Sequence, residues 1–159
     1  KQNQNYVGIA PGAGEKNKVW PIQNYIEICR YLEAKNCILI FYIGPNEKEY
    51  EEILKNNFKR AIFLENELLL KKYSNIEIIM ASTKFLKFAI SNDSGVSHML
   101  STNYCPLIKL FGPKDSKKFT PKIKNLITIS SSEVNSDRVE DIKVSRVIKT
   151  IEDMKFINV

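Results

Sequence analysis

The sequence predicts an α/β fold, a parallel sheet of about six strands with helices on both faces. Three observations predict it. Short apolar runs of strand length alternate with stretches of helical period. One run, 37–43, is apolar without a break, as a strand covered on both faces should be. Several runs also end in loops rich in Gly, Pro, Asn and Asp, and right-handed crossovers bring all strand-to-helix loops to one edge of a parallel sheet.

Taken in order, residues 6–10 form a first strand, broken by Pro11-Gly12-Ala13-Gly14 and a polar loop to Lys18. Trp20-Pro21 opens a helix, with Pro early, where a missing N–H costs little. Ile22, Tyr25, Ile26, Cys29 and Leu32 keep helical spacing to about Lys35. The second strand, 37–43, turns at Gly44-Pro45-Asn46 into a helix from Glu47 to about Asn56, with Tyr50, Ile53 and Leu54 inward. Its acidic first turn suits the helix dipole. Residues 61–64 make a third strand, and 65–83 read as helical, with apolar turns at Leu68, Leu69, Leu70 and at Ile76, Ile79, Met80.

A fourth strand, 88–91, leads into Asn92-Asp93-Ser94-Gly95 and a short helix-like segment, 96–101. A fifth strand, 107–111, ends in Gly112-Pro113-Lys114-Asp115, and a sixth follows at 126–129. Residues 130–137 read as a polar linker before a closing amphipathic helix at about 144–154. With 159 residues, the chain reads as a single domain, 1–159, long enough to bury roughly two-thirds of its unfolded surface. It starts at Lys1 rather than Met, with no signal peptide in view, which reads as a cut or processed chain.

Composition narrows the function classes. No apolar run approaches the ~20 residues of a membrane helix. Cys29, Cys37 and Cys105 are odd in number and lack paired ligand spacing, so they read as core thiols in a reducing compartment. The net charge is +6, with one lysine cluster at Lys114, Lys117, Lys118, Lys122 and Lys124. It serves as a solvated surface, or attracts anionic substrates or an anionic membrane face. No aromatic-studded basic groove points to nucleic acid.

Four loops would then share one crevice: 11–18, 44–47, 92–98 and 112–118. In the first, Gly12, Ala13 and Gly14 let a backbone approach an anion and Lys18 supplies charge, or the glycines simply turn the chain. The loop is neither a Walker loop nor a complete dinucleotide fingerprint. In the third, the N–H groups of Ser94, Gly95 and Val96, the Ser94 hydroxyl and His98 suit a phosphate or diphosphate. Asp93 suits sugar hydroxyls, or ties down the loop. His98, the single histidine, is structural or faces the ligand; with so few ligands a metal site is not expected. Ser94 lacks the Gly-x-Ser-x-Gly elbow of a hydrolase. Glu47 is a helix-start carboxylate or an acceptor for ribose hydroxyls.

The segments Ile9-Ala10-Pro11-Gly12-Ala13-Gly14, Lys18-Val19-Trp20-Pro21, Ile43-Gly44-Pro45-Asn46-Glu47, Ser91-Asn92-Asp93-Ser94-Gly95-Val96-Ser97-His98 and Leu110-Phe111-Gly112-Pro113-Lys114-Asp115 together resemble the C-terminal half of the family 9 glycosyltransferases, the family of the lipopolysaccharide heptosyltransferases. The resemblance runs in order over nearly the whole chain. It implies the C-terminal half of a GT-B-type enzyme with two facing Rossmann-like domains, this half holding most of the nucleotide-sugar donor. The implied donor is ADP-heptose or a related nucleotide sugar, transferred to lipopolysaccharide core without an essential metal or cofactor.

By the same resemblance, Ala13 and Gly14 match the phosphate-contacting turn and Lys18 the donor-phosphate lysine. Glu47 matches the residue holding the ribose and Asp93 the residue contacting the heptose. Ser94, Gly95 and His98 match the diphosphate-binding turn and helix start. The acceptor-binding half and its catalytic base lie outside this sequence, so no catalytic residue is assigned here and the chain alone should be poorly active. The implied location is cytoplasmic, with peripheral contact at the inner face of the inner membrane left open. One departure stands out: the family's Ala-rich helix and Gly-Thr-Pro after His98 are replaced by Met99-Leu100-Ser101-Thr102-Asn103-Tyr104-Cys105-Pro106, which predicts a shorter or more irregular helix. The alternatives are a non-catalytic nucleotide or nucleotide-sugar binding module, and another Rossmann-like enzyme.

Overall fold

The computed structural model describes residues 4–45, 47–64, 67, 70–112 and 125–157. Among these, six parallel strands form one sheet in the order β3-β2-β1-β4-β5-β6. They are β1 (Asn5–Ala10), β2 (Cys37–Phe41), β3 (Ile62–Phe63), β4 (Leu86–Asn92), β5 (Leu107–Phe111) and β6 (Leu126–Ser130). The helices are α1 (Ile22–Ala34), α2 (Lys48–Asn57), α3 (Asn75–Ser82), α4 (Gly95–Leu100) and α5 (Val144–Asp153). The expected α/β sheet is therefore present, with strand limits moved by one or two residues.

The sheet is covered on both sides. On one, α1 buries Tyr25, Ile26, Ile28, Cys29 and Leu32 in a core with Val7, Ile9, Leu39, Phe88 and Ile90 from the strands. Leu54 of α2 and Val147 and Ile151 of α5 complete it. Each such aliphatic side chain contributes about 1.5–3 kcal/mol when fully buried. On the other side Ile79 of α3 and Leu100 of α4 pack on Ala10, Ile40, Ala89 and Leu107. Apolar residues at successive strand positions are what two such layers require.

Because β1 pairs with both β2 and β4, the chain order reverses between β1 and β4. At such a switch point the loops leaving neighbouring strands diverge and open a crevice at their carboxyl ends.

One expectation is corrected. The helix expected over 65–83 is confined, among the described residues, to Asn75–Ser82, followed by a 3-10 turn at Thr83–Phe85. Ser74 stops it from extending backward: its hydroxyl accepts from the Glu77 N–H while the Glu77 carboxylate accepts from Ser74 N–H, a capping box. The polar stretch 130–137, which leads from β6 toward the closing helix, carries local structure of its own. Ser130 and Glu133 form a second capping box over a 3-10 turn at Ser131–Val134, and Arg146 of α5 reaches Glu133 at 2.9 Å. The closing helix itself stands as expected. Asn46, Leu68, Leu69, the lysine cluster Lys114–Lys124 and the loop beyond Gly112 lie outside the described residues.

Candidate functional site

Asn92 joins the first and third loops. It is fully buried at the end of β4. Its Oδ1 accepts from the Trp20 N–H at 3.2 Å and the Tyr25 hydroxyl at 3.0 Å. Its Nδ2 donates to the Pro11 carbonyl at 2.6 Å. One amide thus fixes the end of β1, the start of α1 and the end of β4 in one arrangement. Burial pushes the Tyr25 phenol well above its ordinary pKa, so it remains a donor. Trp20 is also buried, and its indole N–H donates to the Ile142 carbonyl at 2.9 Å. The Lys-x-Trp-Pro segment therefore anchors the loop that carries Lys18.

That anchoring brings Lys18 to Asp93. Lys18 Nζ lies 4.0 Å from Asp93 Oδ2 and 2.5 Å from Glu15 Oε1. The other carboxylate oxygen, Asp93 Oδ1, is 2.6 Å from Nζ of Lys109, a residue in the middle of β5. Asp93 is thus shared between two ammonium groups.

Glu47 enters from the β2 side. It occupies the N-cap position of α2, without a side-chain cap bond. Its carboxylate instead lies over the first and second loops. A methyl group at Gly12 would fall 2.6 Å from the Glu47 carboxyl carbon, and one at Gly44 would meet Glu47 Oε2 more closely still. Gly12 and Gly44 are bare because this carboxylate occupies the space a side chain would need. No described glycine has a positive φ, so close approach rather than a special turn conformation explains these two.

Beyond Asp93, Ser94 is the extended residue before α4 and does not cap it with its side chain. Its hydroxyl oxygen is buried without a hydrogen-bond partner, and so is that of Ser91. An orphaned hydroxyl is costly unless something else satisfies it. The space beside Gly14 and Gly95 is open, and Ala13 is half-buried.

The structure therefore brings Gly12, Lys18, Glu47, Asp93 and Ser94 to one strand edge, with Ala13, Gly14 and Gly95 along the same loops. His98 is exposed on α4, and its side chain makes no hydrogen bond or ion pair among the described residues. As predicted, the helix after the third loop is short. It ends at Leu100, and Asn103 and Tyr104 then both take left-handed backbone angles. Among the described residues no three His, Cys, Asp or Glu side chains gather as a metal site would need.

Two members of the site, Asn92 as linchpin and Lys109 as ion-pair partner, carry roles that pattern reading missed. The readable signal for Lys109 was a lysine inside an otherwise apolar strand, since a buried ammonium needs an anion nearby.

A hollow of about 670 Å3 lies elsewhere, between α3 and the β3 side of the sheet. Its lining is mainly apolar, including Ile40, Ile62, Leu64 and Phe85, and does not suit a diphosphate. No described helix is long and apolar enough to cross a membrane.

The chain is similar to several known proteins. The lipopolysaccharide heptosyltransferase 1 of Campylobacter coli is 27% identical over 155 residues, spanning 96% of this chain and 44% of that protein. The lipopolysaccharide heptosyltransferase 2 of Escherichia coli K12 is 27% identical over 122 residues, 75% of this chain and 34% of its own. The chain thus spans less than half the length of these curated relatives. Among solved structures, E. coli heptosyltransferase WaaC with ADP superposes with a TM-score of 0.79 at 19% identity, covering 96% of this chain and 45% of that one. A family 9 glycosyltransferase from Veillonella parvula gives 0.80 at 17% identity, covering 97% and 47%. The family model for glycosyltransferase family 9 (heptosyltransferase) matches residues 1–147, and the chain therefore belongs to that family.

Proposed function

We propose that this chain is the donor-binding half of a family 9 glycosyltransferase. It holds a nucleotide-diphospho-sugar of the ADP-heptose kind for transfer to lipopolysaccharide core. The observation that carries the reading is the crevice at the β1–β4 switch point. There Asn92 ties two loops together, and Lys18 comes within 4.0 Å of Asp93. That E. coli WaaC has been solved with ADP and with ADP-2-deoxy-2-fluoro heptose supports this choice of donor.

In the reaction, the bond between the anomeric carbon and the diphosphate oxygen breaks, and a bond to the acceptor hydroxyl oxygen forms. Positive charge gathers on the sugar ring, as in glycoside hydrolysis, and negative charge on the departing diphosphate. Lys18, the Ser94 hydroxyl and the N–H groups behind it answer the negative charge, an electrostatic role of the oxyanion-hole type. His98, exposed on α4, is a further candidate for that role. Glu47 takes the ribose hydroxyls and Asp93 the sugar hydroxyls. The acceptor hydroxyl must also lose a proton to a base. That base belongs to an acceptor-binding half that this chain does not supply. No metal and no cofactor is required in this scheme. On this reading the enzyme works in the cytoplasm.

Calorimetry with ADP and ADP-heptose tests the donor site. Lys18→Ala and Asp93→Ala should each weaken binding of ADP-heptose tenfold or more while leaving the melting curve cooperative. Wild-type affinity in both variants would reject the site. Heptosyl transfer should require addition of the upstream half, and turnover by residues 1–159 alone would overturn the division of labour.

A further inference from the structure

Lys109 sits at the centre of β5, and its side chain is 2% exposed. It pairs in register with Ser91 of β4, two residues before Asp93. Its Nζ stands 2.6 Å from Asp93 Oδ1 and 4.7 Å from the centre of the Phe111 ring. The backbone of β5 holds the same residue a second time, since the Asp93 N–H donates to the Leu110 carbonyl at 3.1 Å. An ammonium group this deep needs its charge answered, and one interior strand has been given to that task.

The arrangement resolves a conflict in the site. A carboxylate beside a diphosphate is repulsive, yet Asp93 stands 4.0 Å from Lys18, the lysine read as the phosphate ligand. Lys109 supplies Asp93 with a counter-charge from behind, so the carboxylate need not draw it from Lys18. It also fixes the orientation of the carboxylate, with Oδ1 held by Lys109 and Oδ2 on the Lys18 side. We propose that Lys109 is a positioning residue for donor binding. Buried behind Asp93, it holds that carboxylate and offsets its charge so that a diphosphate can sit beside it. This rests on the donor-site reading above.

A cycle of variants of the full chain tests it by calorimetry with ADP: wild type, Lys109→Met, Asp93→Asn and the double variant. Lys109→Met should weaken ADP tenfold or more, because it leaves Lys18, 4.0 Å away, to answer the Asp93 carboxylate and sets that charge against the phosphates. The double variant should bind within threefold of Asp93→Asn, because no charge then remains to be offset. It also replaces the ion pair by neutral groups, so the comparison survives if Lys109→Met alone folds poorly. The loss in Lys109→Met should be at least threefold larger for ADP than for adenosine, which brings no phosphate charge to the site, a difference that a core-filling lysine would not produce. Two results would overturn the proposal: ADP affinity in Lys109→Met equal to wild type, or a double variant tenfold weaker than Asp93→Asn. Absence of ADP binding in the wild type would reject the donor site itself, and the role of Lys109 with it.

Discussion

Asn92 shows how much of the site rests on one side chain. Its amide serves two buried donors and one buried carbonyl across three segments. Replacement by Ala leaves the Trp20 N–H and the Tyr25 hydroxyl without an acceptor, each orphan costing about 1–3 kcal/mol. Asn92→Ala should therefore lose about 3 kcal/mol or more, read as a fall in urea midpoint with unchanged slope. Glu47 makes a second test. Gly12→Ala drives a methyl against its carboxylate, the far end of a flexible side chain that can swing aside, and should cost only about 0.5–1.5 kcal/mol of off-rotamer strain. The same substitution in a Glu47→Ala background should cost much less, because the obstructing group is gone, and equal losses in the two backgrounds would refute the contact. Lys18, Glu47 and Asp93 could be read from strand-end position and charge. For Lys109 the run Leu107-Ile108-Lys109-Leu110-Phe111 shows only that an ammonium in an apolar strand needs an anion, and not that Asp93 of another strand supplies it. Pairing between strands is not written in local spacing.

At the scale of elements, strands with apolar neighbours on both faces were legible, and α1 and α5 declared themselves by period. The start of α3 did not, because apolar residues at helical spacing say nothing of where a helix begins. The Ser74–Glu77 capping box is the local signal that sets the real start. The segment after α4 was legible as irregular but not as strained. Tyr104 has φ 58° and is 81% exposed, in a short 3-10 turn leading to β5. A left-handed conformation costs a residue with a Cβ roughly 1–2 kcal/mol, and glycine avoids that cost. Tyr104→Gly should accordingly raise stability by about 1 kcal/mol, after the entropy glycine loses on folding. A loss of stability would show instead that the Tyr104 ring contributes packing.

Among the described residues the molecule is one sheet covered on both faces, and its thiols report on that cover. Cys29 is in α1, Cys37 opens β2 and Cys105 precedes β5, all three free and buried. Burial raises each thiol: Cys37 to about 11, Cys105 to about 12, and Cys29 well above the ordinary range with help from Glu33. Tyr42, in the same core as Cys105, is pushed up to about 12 in spite of its bond to Ser82. An unfolded cysteine ionises near pH ~8.5, so between that pH and about 11–12 the unfolded chain has released protons that the folded one retains. The sign follows directly. The contribution of these thiols to stability is complete below pH ~8.5 and is lost progressively as pH rises through the folded values. Urea midpoints taken from pH 8 to 10.5 should therefore fall steadily. The fall should be shallower in a Cys37→Ala/Cys105→Ala variant, in which two of the thiols that drive it are gone. At pH 8 a thiol reagent should label the native chain no faster than it opens, because the reactive thiolate is scarce and the sulfurs are enclosed. Fast stoichiometric labelling of Cys29 at pH 8 would mean that the α1 face is not sealed, and the closed two-layer core would have to be abandoned.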